Sequence, residues 1–370
     1  MKRIALVATL LAACGGNYKA PPSVPSIALP SGAALLPFDA TKPGQARPAG
    51  MDSFGGKVYV ALQNYDDSYM VRGPGLLGVM NPVTGAVTTI NLGGADGSRC
   101  LYPYFVRDNG SKLYVSCTGD IFGSGAGSSM LEVDPGTGTI SRSVKTAIGP
   151  SGFALTSSKI WFGDAQSGNL YAVDRGTFTV TAGPLAIPCP TTGTFQSTSD
   201  VILVGGDLYA ACSNSTGGIL SRLDASSGAV KMQAQVGPNA VEFTQTGDGR
   251  IAVVSGTDNN LRLVSISTSA LTVATAYTFS SATSTLNDVH ARDNFLFTVA
   301  SGSNTVQRLD LSKTGTQILV GEANLGQSAS PFTILPLDDD QALVANQMSN
   351  TVVSVSSDCT SGKLCWVAPK

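Results

Sequence analysis

The stretch GSNTVQRLDLSKTG, residues 302–315, is repeated in outline as SGNLYAVDRG at 167–176 and MSNTVVSVSS at 348–357. Each begins with small polar residues, runs through a short apolar alternation and closes in a turn. Asp310 and Asp174 end the first two alternations, where a short carboxylate can accept hydrogen bonds from the turn backbone. The same strand end recurs at Asn81 (LGVMNPVTG), Asp134 (LEVDPGTG), Asp224 (SRLDASSG), Ser267 (RLVSISTS) and Ser356 (VVSVSSD). A second apolar run precedes each one: KVYVAL from Lys57, KLYVSC from Lys112, KIWFGD from Lys159 and DLYAAC from Asp207. It continues as RIAVVS from Arg250, FLFTVA from Phe295 and QALVAN from Gln341.

Seven copies of strand, turn, strand, loop, strand, turn, strand follow one another at about 40–50 residues per copy, the period of a propeller blade. The expected fold is therefore all-β: a seven-bladed β-propeller with four antiparallel strands per blade. The blades are expected over 46–95, 98–146, 149–187, 188–236, 237–281, 284–326 and 328–370. Composition agrees, with only 13 % charged residues against about 25 % in an ordinary soluble domain. Glycine is abundant at 42 residues, and no capped helical periodicity interrupts the short runs. The repeats resemble the YVTN-type repeats of bacterial seven-bladed propellers and, more loosely, NHL and streptogramin-lyase propellers. That resemblance covers residues 46–370 and speaks to architecture, since unrelated activities share the fold.

The N-terminus, MKRIALVATLLAACGG, has a charged head at Lys2 and Arg3 and an apolar run too short to span a bilayer. Leu11-Ala12-Ala13-Cys14 resembles a bacterial lipobox. The resemblance implies a signal peptide over 1–13, lipidation of Cys14 and a membrane anchor made through that lipid. Gly15 stands where an Asp would resemble an inner-membrane retention signal, so the implied address is the outer membrane. Residues 14–45 read as a Pro/Ala/Ser-rich tether in which PSIALP (25–30) and AALLPF (33–38) are apolar enough to dock on the domain. Net charge is −2, falling to −4 without Lys2 and Arg3, and no basic block points to nucleic acid.

Six further cysteines test the repeat register. Cys117 and Cys212 end second strands, while Cys100 and Cys189 precede the first strands of the same blades. In an antiparallel hairpin the start of one strand faces the end of the next. The expected disulfides are Cys100–Cys117, Cys189–Cys212 and, across the last turn, Cys359–Cys365, which an exported chain can keep.

Two regions carry site chemistry. Loops before the first strand and between the second and third share one rim. The long loops QNYDDSYMVRGPG (63–75) and TGDIFGSGAGSS (118–129) lie there. They make Tyr65, Asp66, Asp67, Tyr69, Arg72, Asp120 and Phe122, with Tyr102 and Tyr104 beside them, candidate ligand-binding residues. Aligning first strands to the Tyr of VYV places Asp52, Arg107, Ala154, Ile202 and His290 in one layer of the central channel. Glu242 joins them if the turn 246–249 absorbs a three-residue gap. His290, the lone histidine, and Glu242 are the candidate acid–base pair; the plain alternative is a hydrogen-bonded polar layer between blades. Zinc spacings, a nucleophile elbow and a phosphate loop are missing. The reading is thus of a monomeric binding or scaffold module for an envelope protein, peptide or glycan, without metal or cofactor. The alternative is a streptogramin-lyase-like, metal-dependent lyase or hydrolase working through His290 and Glu242.

Overall fold

Second strands such as Leu113–Cys117 and Ile251–Ser255 are buried along their whole length, on both faces, because each blade packs against a neighbour on either side. This explains their continuous apolar runs. The outermost strands alternate instead, as in Thr139–Lys145, where exposed and half-buried residues take turns. The computed structural model describes residues 26–29, 45–68, 70–71, 73–94, 97–120, 126–146, 149–193, 196–280, 285–357 and 364–366. Cys14, the expected signal peptide, Tyr69, Arg72, Phe122 and Cys359 lie outside them.

The chain is all-β, with seven blades of four antiparallel strands. The inner strands are Pro48–Phe54, Pro103–Asp108, Pro150–Leu155, Ser197–Val204, Ala240–Gln245, Leu286–Arg292 and Pro331–Pro336. Inner strands of successive blades touch, and that of blade seven touches that of blade one, which closes the ring. Every inner strand has a register shift near its start, at the upper rim where the long loops lie. Four begin with proline, which lacks a backbone donor and suits the first position of a strand. Apolar clusters fill the space between adjacent blades; one joins Tyr114 and Met130 of blade two to Phe153, Ile160 and Phe162 of blade three.

Blade seven is assembled from both ends of the chain. Its first three strands are Pro331–Pro336, Ala342–Asn346 and Thr351–Ser356, and its outer strand is Ser26–Ala28, antiparallel to Thr351–Val353. The Leu29 N–H continues the ladder to the Asn350 carbonyl at 3.0 Å. Leu364–Cys365 runs parallel along the same edge, opposite Val355 and Ser356. Within the segment read as a tether, Ser26–Ala28 thus supplies a strand that covers part of an otherwise open edge.

Cys100–Cys117 and Cys189–Cys212 are bonded, with Cα atoms 5.3 and 5.1 Å apart. Each staples the start of a blade to the end of its second strand, as the repeat register requires. Gly168 lies against the second bridge, where any Cβ would collide with Cys189 Sγ. Cys365 is also disulfide-bonded.

Candidate functional site: the channel mouth

Two layers of side chains line the upper channel. In the lower layer Asp52, Arg107, Ala154, Ile202 and His290 stand opposite Tyr59, Tyr114, Trp161, Tyr209 and Phe297, as the alignment placed them. The residue of blade five at this level is Thr244, opposite Ala252. This corrects the placement of Glu242. Thr244 and Ala252 are eight positions apart where Arg107 and Tyr114 are seven, so the turn absorbs one extra residue rather than three.

Glu242 lies two residues nearer the rim, opposite Val254, in the layer of Asp288 (opposite Val299) and Thr333 (opposite Ala345). Gly50, Phe105, Gly152 and Asp200 complete that ring, each two residues before the lower-layer residue of its blade. Three consecutive blades therefore contribute carboxylates to one level.

Asp200, 1 % exposed, is held by charge from across the channel. Its Oδ1 accepts from Arg107 Nη2 at 2.8 Å and from the Val201 N–H at 2.7 Å. Arg107 comes from blade two and passes blade three to reach blade four. It has room because blade three offers only Gly152 and Ala154; a Cβ on Gly152 would sit 2.6 Å from the Asp200 Cα. The rings of Phe105 and Phe153, each 5.7 Å from the guanidinium, flank it.

Asp200 Oδ2 has no ordinary donor, yet the Glu242 carboxyl is hydrogen-bonded to Asp200. Both facts are met if Glu242 keeps its proton and donates it. Glu242 reaches channel water only in part, and enclosure by the blades pushes its carboxyl well above the usual carboxylate range. The negative charges of Asp200 and Asp288 push it further. Burial also raises Asp200, but Arg107 and the Val201 N–H favour its anion. Glu242 is thus the more strongly raised of the two, and the pair titrates as a unit.

The remaining acids stitch blades together. Asp288 Oδ2 accepts from Thr333 Oγ1 at 2.6 Å and the Ile334 N–H at 2.8 Å, joining blade six to seven. Asp52 Oδ2 accepts the Asp108 N–H at 2.8 Å, joining blade one to two; burial raises its carboxyl, while that bond and the Ser53 N–H oppose the rise. His290 Nε2 is 3.5 Å from Asp288 Oδ1, and the side chain is 41 % exposed. The histidine is thus paired with Asp288, and Glu242 with Asp200.

Above this ring a cavity of about 190 Å³ opens, bordered by Tyr104, Phe105, Glu242, Asn287, Asp288 and Phe332. The Tyr104 ring meets Phe332 edge-on at 5.6 Å. Burial, then the Glu242 and Asp288 carboxylates, pushes its phenol upward. A larger cavity of about 290 Å³ near Arg99, Ser128 and Lys145 holds no such group of carboxylates.

The other described rim candidates make contacts within the rim itself, although the Asp67 side chain stays 74 % exposed. Tyr65 is buried, bridges Gln45 and Val71, and stacks on buried Tyr102 at 5.1 Å. The Arg47 guanidinium lies 5.3 Å over the Tyr65 ring and pairs with Asp67, which also accepts from Gln45 Nε2 at 3.0 Å. Asp66 closes its own loop by accepting from the Ser68 and Met70 N–H groups. The Asp120 N–H donates to the Ala126 carbonyl at 2.8 Å. Tyr104 alone of these lines the mouth. Asp200, Asn287, Phe332 and Thr333 were missed because the seven-residue spacing finds only the lower layer; stepping back two residues finds most of the upper one.

Among the described residues, no group of three His, Cys, Asp or Glu side chains is placed to hold a metal ion, and no helix is long and apolar enough to cross a membrane. No family model and no curated protein matches the sequence. Solved structures do match in shape. Kuenenia stuttgartiensis hydrazine synthase superposes with a TM-score of 0.66 at 16 % identity, over 88 % of this chain and 99 % of that one. A chain of the mitotic checkpoint complex gives 0.61 at 13 % identity, over 92 % and 93 %. The Cps50 (Swd1) β-propeller domain of Myceliophteria thermophila gives 0.61 at 12 %, over 84 % and 96 %. The likeness is one of fold. Two disulfides within the blades mark an oxidising, extracellular or periplasmic setting.

Proposed function

We propose that the chain is an outer-membrane lipoprotein, anchored through Cys14, whose propeller binds an envelope protein, peptide or glycan at the channel mouth. One observation carries this reading: the mouth joins aromatic faces, Tyr104 and Phe332, to carboxyl groups, Glu242 and Asp288, in one cavity. Aromatic surfaces beside a few polar groups suit the side chains of a peptide or the faces of a sugar.

The test is a screen of the full chain against arrays of envelope-derived peptides and glycans, repeated with Tyr104→Ala and Glu242→Gln. Ligands of the mouth should weaken about tenfold, the scale of one lost contact of about 1.4 kcal/mol. Ligands that bind both folded variants as tightly as the parent would overturn the assignment.

A second reading has one observation in its favour. A carboxyl held protonated beside an anion can give and take a proton, which suits the lyase or hydrolase alternative with Glu242 and His290. Turnover that disappears in both Glu242→Gln and His290→Ala, with folding intact, would favour it over binding.

A further inference from the structure

In each blade the first strand starts at the upper rim and the second strand starts at the lower one. The fourth strand therefore begins below and ends above. Ser26–Ala28 fills the fourth-strand place of blade seven, with Ser26 opposite Val353 and Ala28 opposite Thr351, whose strand starts at the upper rim. The strand thus joins the blade partway along its outer edge and runs toward the upper rim, with Leu364–Cys365 on the lower part of that edge. Between Cys14 and Ser26 stand the eleven residues 15–25, a reach of at most about 40 Å.

The exposed apolar side chains agree with this direction. Among the described residues the large exposed hydrophobics are Met70, Val83, Val180, Leu203, Val230 and Met348. Val83, 91 % exposed, tips the turn below the third strand of blade one. Val180 and Val230 open the outer strands of blades three and four, and Leu203 stands near the foot of blade four's inner strand. All four belong to the lower rim; only Met70 and Met348 belong to the upper. The tether enters at blade seven and three of the valines and leucines lie across the ring at blades three and four, so the two attachments stand on opposite sides of the ring.

We infer that the lower rim lies against the lipid surface that holds the anchor, and that the channel mouth is turned away from it. The inference rests on the lipid-anchor reading of Cys14. Its energetic basis is shallow burial of apolar side chains at an interface to which the chain is already tethered.

Tryptophan quenching tests it. The full lipidated chain would be reconstituted in phosphatidylcholine vesicles with or without brominated acyl chains, as Val83→Trp, Val230→Trp and Met348→Trp. Relative to the parent, the Val83→Trp and Val230→Trp emission should fall about twofold on brominated lipid, as expected for side chains some 5–10 Å into the interface, while Met348→Trp stays unquenched. Quenching of Met348→Trp instead, or of none of the three while the protein floats with vesicles, overturns the orientation and leaves the anchor standing. A parent chain that does not float, or a Cys14→Ser chain that floats equally well, removes the anchor and the inference with it.

Discussion

The two layers of the channel are separated by two residues on the same seven strands, yet they treat charge differently. The lower layer sets opposite charges side by side, Asp52 in blade one and Arg107 in blade two, with His290 alone in blade six and Ala154, Ile202, Thr244 and Leu335 at the other positions. The upper layer puts Asp200, Glu242 and Asp288 on adjacent blades. Such crowding is tolerated because each carboxyl has a separate remedy. Asp200 receives a guanidinium, Asp288 receives a hydroxyl and a backbone N–H, and Glu242 is pushed toward its neutral form. Burial of like charges is resolved by pairing, by hydrogen bonding or by neutralisation, and this one ring uses all three.

The sharpest way to break the arrangement is to remove the group that links the layers. Arg107→Ala leaves the Asp200 carboxylate buried without its counter-charge, and removing one partner of a buried pair costs about 3–5 kcal/mol. Urea unfolding at neutral pH should register that loss, with part of it recovered on acidification as Asp200 takes up a proton. A loss within about 1 kcal/mol, as for solvated pairs, would show that channel water already screens Asp200.

A smaller effect separates Glu242 from Asp200. The folded protein holds the Glu242 proton above the pH at which the unfolded chain releases it, so the folded state binds more protons. Stability then falls as pH rises from the unfolded carboxylate value, near 4.3, until it passes the raised folded value. Each unit between the two values corresponds to about 1.4 kcal/mol. Glu242→Gln keeps a donor for Asp200 Oδ2 but cannot ionise. Its melting temperature should be nearly level above pH 5, where the parent declines. Parallel profiles for parent and variant would mean that the shared proton is absent.

The layers also differ in how far they were legible beforehand. The lower one follows from a fixed spacing: Asp52, Arg107, Ala154, Ile202 and His290 stand opposite the aromatic residue seven positions on. The disulfides were legible for the same reason, since Cys100 and Cys189 occupy one place in the repeat and Cys117 and Cys212 another. Glu242 was misplaced because one extra residue in a turn shifts everything before it. The Arg107–Asp200 pair could not be read at all, because it spans blade three and depends on Gly152 leaving space. Tyr65 and Tyr102 read as rim contacts, but both are buried: they stack on each other, and Arg47 and the bridge at Gln45, outside the repeats, cover Tyr65. Periodicity therefore carried the scaffold and one layer of the channel. What lay beyond it was the packing between non-adjacent blades.

The smallest expected effect concerns the residue that stood out most in the sequence. His290 is the lone histidine, and reading it as part of a buried polar layer suggests that its removal should be costly. Its surroundings argue for a mild outcome. The side chain is 41 % exposed, and its 3.5 Å approach to Asp288 is long for a hydrogen bond. Asp288 is already satisfied by Thr333 and Ile334. His290→Ala therefore strands no buried charge, and its cost should stay within about 1 kcal/mol, as for other solvated pairs. Asp288→Ala, by contrast, removes the acceptor of two blade-joining hydrogen bonds and should cost more, at about 1–3 kcal/mol for each donor left buried. Measured together by urea unfolding, the two variants decide where the polar layer draws its strength. If His290→Ala proves the costlier, the histidine and not the carboxylate joins blades six and seven.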